Sequence, residues 1–177
     1  MQAVASTTAG PVQRVNEQSF TELLVPLVRP AYRLAVAMLH DGPAAEDVVQ
    51  EASLIAWRKL PGLQDKSRLR PWFFGIVANE CRNARRRYWL SRMTLGLAPN
   101  LAVASGEERW VSRNDVRRAL SRLSHQDRLV VSLYFYLDTP VAEIADVIHS
   151  SVEATRQRLC RAVRRLRPDL EIEEALR

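Results

Sequence analysis

The chain has 177 residues, enough for one ordinary domain or two small ones. Apolar residues make up 47% and charged residues 26%, a balance that argues against wholesale disorder or a fibrous repeat. The formal net charge is +6, and every basic residue except Lys59 and Lys66 is an arginine. Arginine's planar fork can bond phosphate or a guanine edge in two places at once, so a nucleic-acid partner stands beside the plainer reading of a solvated basic surface. No apolar run reaches the roughly 18 residues of a membrane helix, and residues 1–15 lack a positive stretch followed by an apolar one. A soluble, cytoplasmic protein is expected. Cys81 and Cys160 are far apart, and His40, His125 and His149 are scattered singly, so neither a disulfide framework nor a metal site is expected, and no cofactor is implied.

Helix signals recur along the chain, and no NG or DG hairpin turn separates alternating strands. Residues 1–16 read as a disordered arm. Residues 20–39 are rich in Leu, Val and Ala at helical spacing, with Pro26 and Pro30 expected to kink or divide the helix. Asp41, Gly42 and Pro43 make a turn that opens a helix over about 44–60, which Pro61 and Gly62 stop. A loop over 63–70 precedes a long helix from Pro71 to about Met93. Residues 95–111 lose periodicity around Gly96, Pro99 and Gly106 and read as a linker. Beyond it, Ser112 with Asp115, Ser124 with Asp127, and Ser150 with Glu153 have capping-box spacing, and Thr139-Pro140 looks like a cap and first-turn proline. The expected architecture is all-α: two small helical domains, 17–94 and 112–168, joined by a flexible linker and followed by a short tail over 169–177. The linker holds too few apolar residues to fix the orientation of the two units, so relative motion is expected.

Residues 139–167 have the form short helix, tight turn, longer basic helix, the layout of a helix-turn-helix. On the longer helix Val152, Thr155, Leu159, Ala162, Val163 and Leu166 share an inner face. Glu153, Arg156, Gln157, Cys160, Arg161 and Arg164 project outward, with Arg158 and Arg165 at the flank where phosphates would lie. Ordinary amphipathic helices mix charge signs for pairing one turn apart. Here six arginines between Arg156 and Arg167 face only Glu153, a pattern better suited to an anionic partner.

The segment 44–57, AAEDVVQEASLIAW, strongly resembles region two of sigma-seventy-family transcription initiation factors, whose small members read like DAEDVVQETFLRAW. The segment beginning WFFGIVANECRN at Trp72 and running into Arg85, Arg86 and Arg87 resembles the family's minus-ten-reading helix, and 119–166 resembles its region four. The resemblance covers about residues 20–167 in the right order. It implies a small alternative sigma factor of the extracytoplasmic-function (ECF) type, not an enzyme. Such a factor takes no small-molecule substrate, binds core RNA polymerase through the β′ clamp helices and the β flap, binds promoter DNA, and answers to an anti-sigma factor.

By the same resemblance the acidic patch Glu46, Asp47, Gln50 and Glu51 docks on polymerase. Asn79, Arg82, Asn83 and Arg86, with the loop 63–70, engage the minus-ten element. Glu153, Arg156, Gln157, Arg158, Cys160 and Arg161 read the minus-thirty-five element. Trp72 could stack on a base but more often belongs to the core of such a helix. There are departures: Ser53 replaces an aromatic, Ile55 an arginine, His149 a glycine, and Gln64 and Asp65 make the loop atypical.

Three other classes fit less well. An enzyme lacks a phosphate loop, a nucleophile motif or a metal cluster to stand on. A sigma mimic that binds only an anti-sigma protein would not need the arginine faces. A stand-alone helix-turn-helix regulator would leave residues 46–57 unexplained.

Overall fold

A computed structural model describes residues 17–94 and 111–170; the N-terminal arm, most of the linker and the last seven residues of the tail lie outside that range. Seven α-helices follow in order: α1 Glu17–Leu39, α2 Gly42–Lys59, α3 Leu69–Thr94, α4 Val111–Arg122, α5 His125–Val131, α6 Val141–Val147 and α7 Val152–Leu170. No strand occurs among the described residues, and no helix there is long and apolar enough to cross a membrane. Short 3-10 turns at Leu60–Gly62 and Lys66–Arg68 join α2 to α3, and a π-helical turn, Ser132–Tyr136, prolongs α5.

Local chemistry accounts for most boundaries. Helix α2 starts because the Asp41 carboxylate accepts the Ala44 amide at 3.0 Å and Pro43 occupies the first turn, where it forfeits no hydrogen bond. At α5 the Ser124 hydroxyl accepts the Asp127 amide at 3.1 Å.

Several expectations need correction. Helix α1 runs unbroken through Pro26 and Pro30. Pro26 is exposed and Pro30 half-buried. Helix α3 begins at Leu69, two residues before Pro71. The cap of α7 is Ser151, not Ser150: its hydroxyl accepts the Ala154 amide at 3.1 Å. Pro140, not Thr139, is the N-cap of α6, and Thr139 is buried, its hydroxyl donating to the Leu137 carbonyl. Helix α7 passes Pro168 and ends at Leu170.

The larger difference concerns how the two units sit. The weakly apolar linker predicts mobile neighbours, yet α5 and α6 pack on α1 and α3 in one continuous core. Leu34, Met38, Phe73, Phe74 and Val77 from the first unit join Leu129, Val130, Leu133, Ile144 and Val147 from the second. Contact between folded faces, rather than the linker, sets the arrangement. A smaller cluster of Ala119, Leu123, Val131, Ala162 and Leu166 holds α4 and α7 to α5.

Candidate nucleic-acid and protein interfaces

Helix α2 buries Ala45, Val48, Val49, Ala52 and Ala56, which turns Glu46, Asp47, Gln50 and Glu51 to solvent as one acidic surface. One turn further along the same stripe, Leu54 is 56% exposed. Arg58 closes the stripe, 3.5 Å from the Glu51 carboxylate and donating to the Leu54 carbonyl at 3.2 Å. An apolar side chain within a charged surface is the composition of a protein interface, and the charge pattern that located the acidic residues gave no hint of Leu54. Ser53 donates its hydroxyl to the Val49 carbonyl at 2.7 Å, which satisfies the group that replaces the usual aromatic.

On α3, Phe73, Val77 and Cys81 face the core. Asn79, Arg82 and Arg86 are exposed, and Asn83 is half-buried, donating at 3.0 Å to the carboxylate of the buried Glu80. Asn83 therefore has one donor already engaged. Trp72 is half-buried against the core. Burial pushes the Cys81 thiol up to about 12, so it remains protonated and unreactive. The loop before α3 is shaped by Asp65, whose carboxylate accepts the Ser67 amide at 2.9 Å and hydroxyl at 2.6 Å; these bonds hold its pKa below the ordinary value. The two arginines of the loop point at the other unit. Arg68 pairs with Asp146 at 2.6 Å, and Arg70 pairs with Glu143 at 2.8 Å while also donating to the Leu137 carbonyl.

In the helix-turn-helix, α6 meets α7 through a turn in which His149 adopts φ 52°. That left-handed position is where glycine is the usual choice, and histidine is among the few other residues found there. Thr155, Ala162 and Leu166 are buried, as the inner face requires, while Val152 is 39% exposed. Glu153, Arg156, Gln157, Cys160, Arg161 and Arg164 are exposed. Gln157 donates to Glu153 at 3.2 Å, so these two polar groups orient each other. Arg158 and Arg165, expected at the phosphate flank, each have part of the guanidinium engaged, and Arg165 stays 63% exposed. Both reach inward to the nearly buried carboxylate of Asp127 on α5, at 3.1 and 2.9 Å, and so anchor α7 to its scaffold. The Ser124–Asp127 spacing marks Asp127 in the sequence, but only as part of a cap.

A cavity of about 750 Å³ lies between the units, walled by Trp72, Asn79 and Arg82 from α3 and by Gln126, Asp146 and His149 from the second unit. Among the described residues no group of His, Cys, Asp and Glu is placed to hold a metal ion.

Sequence comparison matches the Sigma-70 region 2 model over residues 23–91 and the Sigma-70 region 4 model over 119–168. The ECF RNA polymerase sigma factor SigL of Mycobacterium tuberculosis is 30% identical over 145 residues, which span 79% of this chain and 82% of that protein. The chain belongs to the ECF RNA polymerase sigma factors. SigG of the same organism is 34% identical over 164 residues, 77% of this chain but 43% of its own length, so this sigma factor spans less than half of that relative. The sigma factor RpoE of Bartonella quintana, solved in complex with the anti-sigma factor NepR, superposes with a TM-score of 0.77 at 22% identity, over 88% of this chain and 99% of the other, which establishes the shared fold.

Proposed function

We propose that this sigma factor binds core RNA polymerase and directs promoter-specific initiation in the cytoplasm, as a non-enzymatic factor without cofactor or small-molecule substrate. The observation that carries the reading is the pairing, on one chain of this family, of an exposed acidic face on α2 with an exposed arginine and glutamine face on α7. The surface of Glu46, Asp47, Gln50 and Glu51 suits a basic partner, for which the β′ clamp helices are the family's candidate, and charge of this kind steers encounter as well as fixing register. The β flap is the expected contact of the second unit.

Arg156, Gln157 and Arg161, flanked by Glu153 and Cys160, present the side chains that read guanine and adenine edges in a major groove, at the minus-thirty-five element. Arg158 contributes by holding α7 rather than by reading bases. Asn79, Arg82, Asn83 and Arg86 form the minus-ten face, where the exposed Asn79 amide and the arginines suit bases and phosphates of a melting strand. An anti-sigma factor is the expected restraint, by analogy with the Bartonella quintana factor of the same fold.

The test is run-off transcription with purified core polymerase on promoters selected from random DNA. Initiation that depends on both promoter elements is the expected result; a chain that binds neither core nor promoter would overturn the assignment.

A further inference from the structure

The polar stripe on α3 does not end at Arg86. Among the described residues Ala84 is the last of the helix to pack against the core, and the described side chains from Arg85 to Met93 are all exposed. At helical spacings of three and four, Asn79, Arg82, Asn83 and Arg86 continue into Trp89, Leu90 and Met93. These three are 48%, 57% and 72% exposed. Single exposed apolar residues are ordinary, but a run of them that prolongs a polar stripe marks a contact surface. Arg85 and Arg87 stand on either flank of the stripe, and no acidic residue lies between Cys81 and Thr94. A solvated helix face mixes charge signs one turn apart. This one suits an anionic partner with apolar groups set between its charges. Duplex DNA has that composition in its major groove, where thymine methyl groups lie between two phosphate backbones.

We propose that Trp89, Leu90 and Met93 carry promoter reading beyond the minus-ten element, packing on thymine methyl groups of the adjoining duplex while Arg85 and Arg87 take its phosphates. This extension rests on the promoter-reading assignment above. Chain direction sets the side: beyond Thr94 the chain leads to the unit that carries α7, so the carboxyl end of α3 points toward the minus-thirty-five element. Helical rise sets the reach. Met93 stands about two turns past Arg86, or roughly 10 Å at ~1.5 Å per residue. That is about three base-pair steps at ~3.4 Å each. The stripe is polar where the strands part and bases expose hydrogen-bonding edges. It turns apolar where the duplex stays paired and methyl groups offer the apolar contact.

Holoenzyme reconstituted from the full chain and core polymerase provides the test. Promoters are selected from a pool randomised over the base pairs that adjoin the minus-ten element on its minus-thirty-five side. Thymine, on one strand or the other, should be enriched within about three pairs. Each selected thymine is then replaced by deoxyuridine, which removes the methyl group and nothing else. Promoter affinity should fall about threefold to fourfold per methyl, the transfer value of one buried carbon. Trp89→Ala, Leu90→Ala and Met93→Ala together should leave the circular dichroism helical, since all three side chains are exposed, and should abolish the distinction between thymine and deoxyuridine. No enrichment of thymine, or a methyl effect that persists in the triple variant, would overturn the extension. So would loss of core binding in that variant, which would make the stripe a protein contact. Substitutions in the minus-ten element itself report separately. A parent holoenzyme indifferent to them overturns the promoter-reading assignment and the extension with it. One that responds to them but not to the methyl groups overturns the extension alone.

Discussion

Asp127 shows how one side chain separates scaffold from reader. Its carboxylate receives two guanidiniums from α7, and its amide is held by Ser124, so it fixes the start of α5 and ties α7 to it. Asp127→Ala would leave Arg158 and Arg165 without their carboxylate and should cost about 1–3 kcal/mol in urea unfolding. The triple replacement of Arg156, Gln157 and Arg161 by alanine should behave in the opposite way. Those side chains are solvated, so stability should move by no more than about 0.5 kcal/mol. Removal of each base-reading side chain should relax promoter preference by about 1–3 kcal/mol, as read from competitive binding to variant promoters. If the triple variant unfolds early, or keeps full selectivity, the division between scaffold and reader is drawn in the wrong place.

At the scale of the helix, α2 gathers Asp47, Gln50, Glu51, Leu54 and Arg58 on one stripe because its small residues, Ala45, Ala52 and Ala56, let the opposite side lie close against α1 and α3. Reversal of Asp47 and Glu51 to lysine touches no core position. The circular dichroism should stay helical while co-purification with core polymerase falls by roughly tenfold or more.

Periodicity and capping residues make these elements legible in the sequence, because they are local: the α2 stop at Pro61, the Ser124 cap, and the inner face of α7 all depend on neighbours within a turn or two. What stays hidden is non-local. Nothing near Arg128 in the chain says that its acceptor is the Met38 carbonyl, 90 residues away. Arg158 reads as a DNA-facing residue until Asp127, 31 residues earlier, is brought beneath it.

For the whole molecule, the seam between the units sets two part-buried histidines beside several arginines. His40 and His125 both lie there, and burial, then nearby arginines, lower each imidazole from 6.5 to about 4; Arg128, Arg117 and Arg85 act on the first, Arg82, Arg85 and Arg128 on the second. Burial, with a smaller push from Arg85, also brings Arg128 down to about 10, which leaves it charged at neutral pH. Between about pH 6.5 and 4 the unfolded chain binds protons that the folded chain refuses, so stability is lost as pH falls through that window. Thermal unfolding midpoints measured across it should decline, and His40→Asn with His125→Leu should flatten the decline; asparagine is chosen because His40 sits at φ 59°. A slope unchanged in the double variant would assign the acid sensitivity to carboxylates.

The same seam has a consequence for synthesis. The apolar faces of α1 and α3 that pack on α5 and α6 leave the ribosome well before their cover does. At about 5–20 residues per second, the stretch from the end of α3 to the end of α6 occupies several seconds. Throughout that interval the first unit stands with an uncovered hydrophobic flank, in a crowded cell and still tethered to the peptidyl-transfer centre.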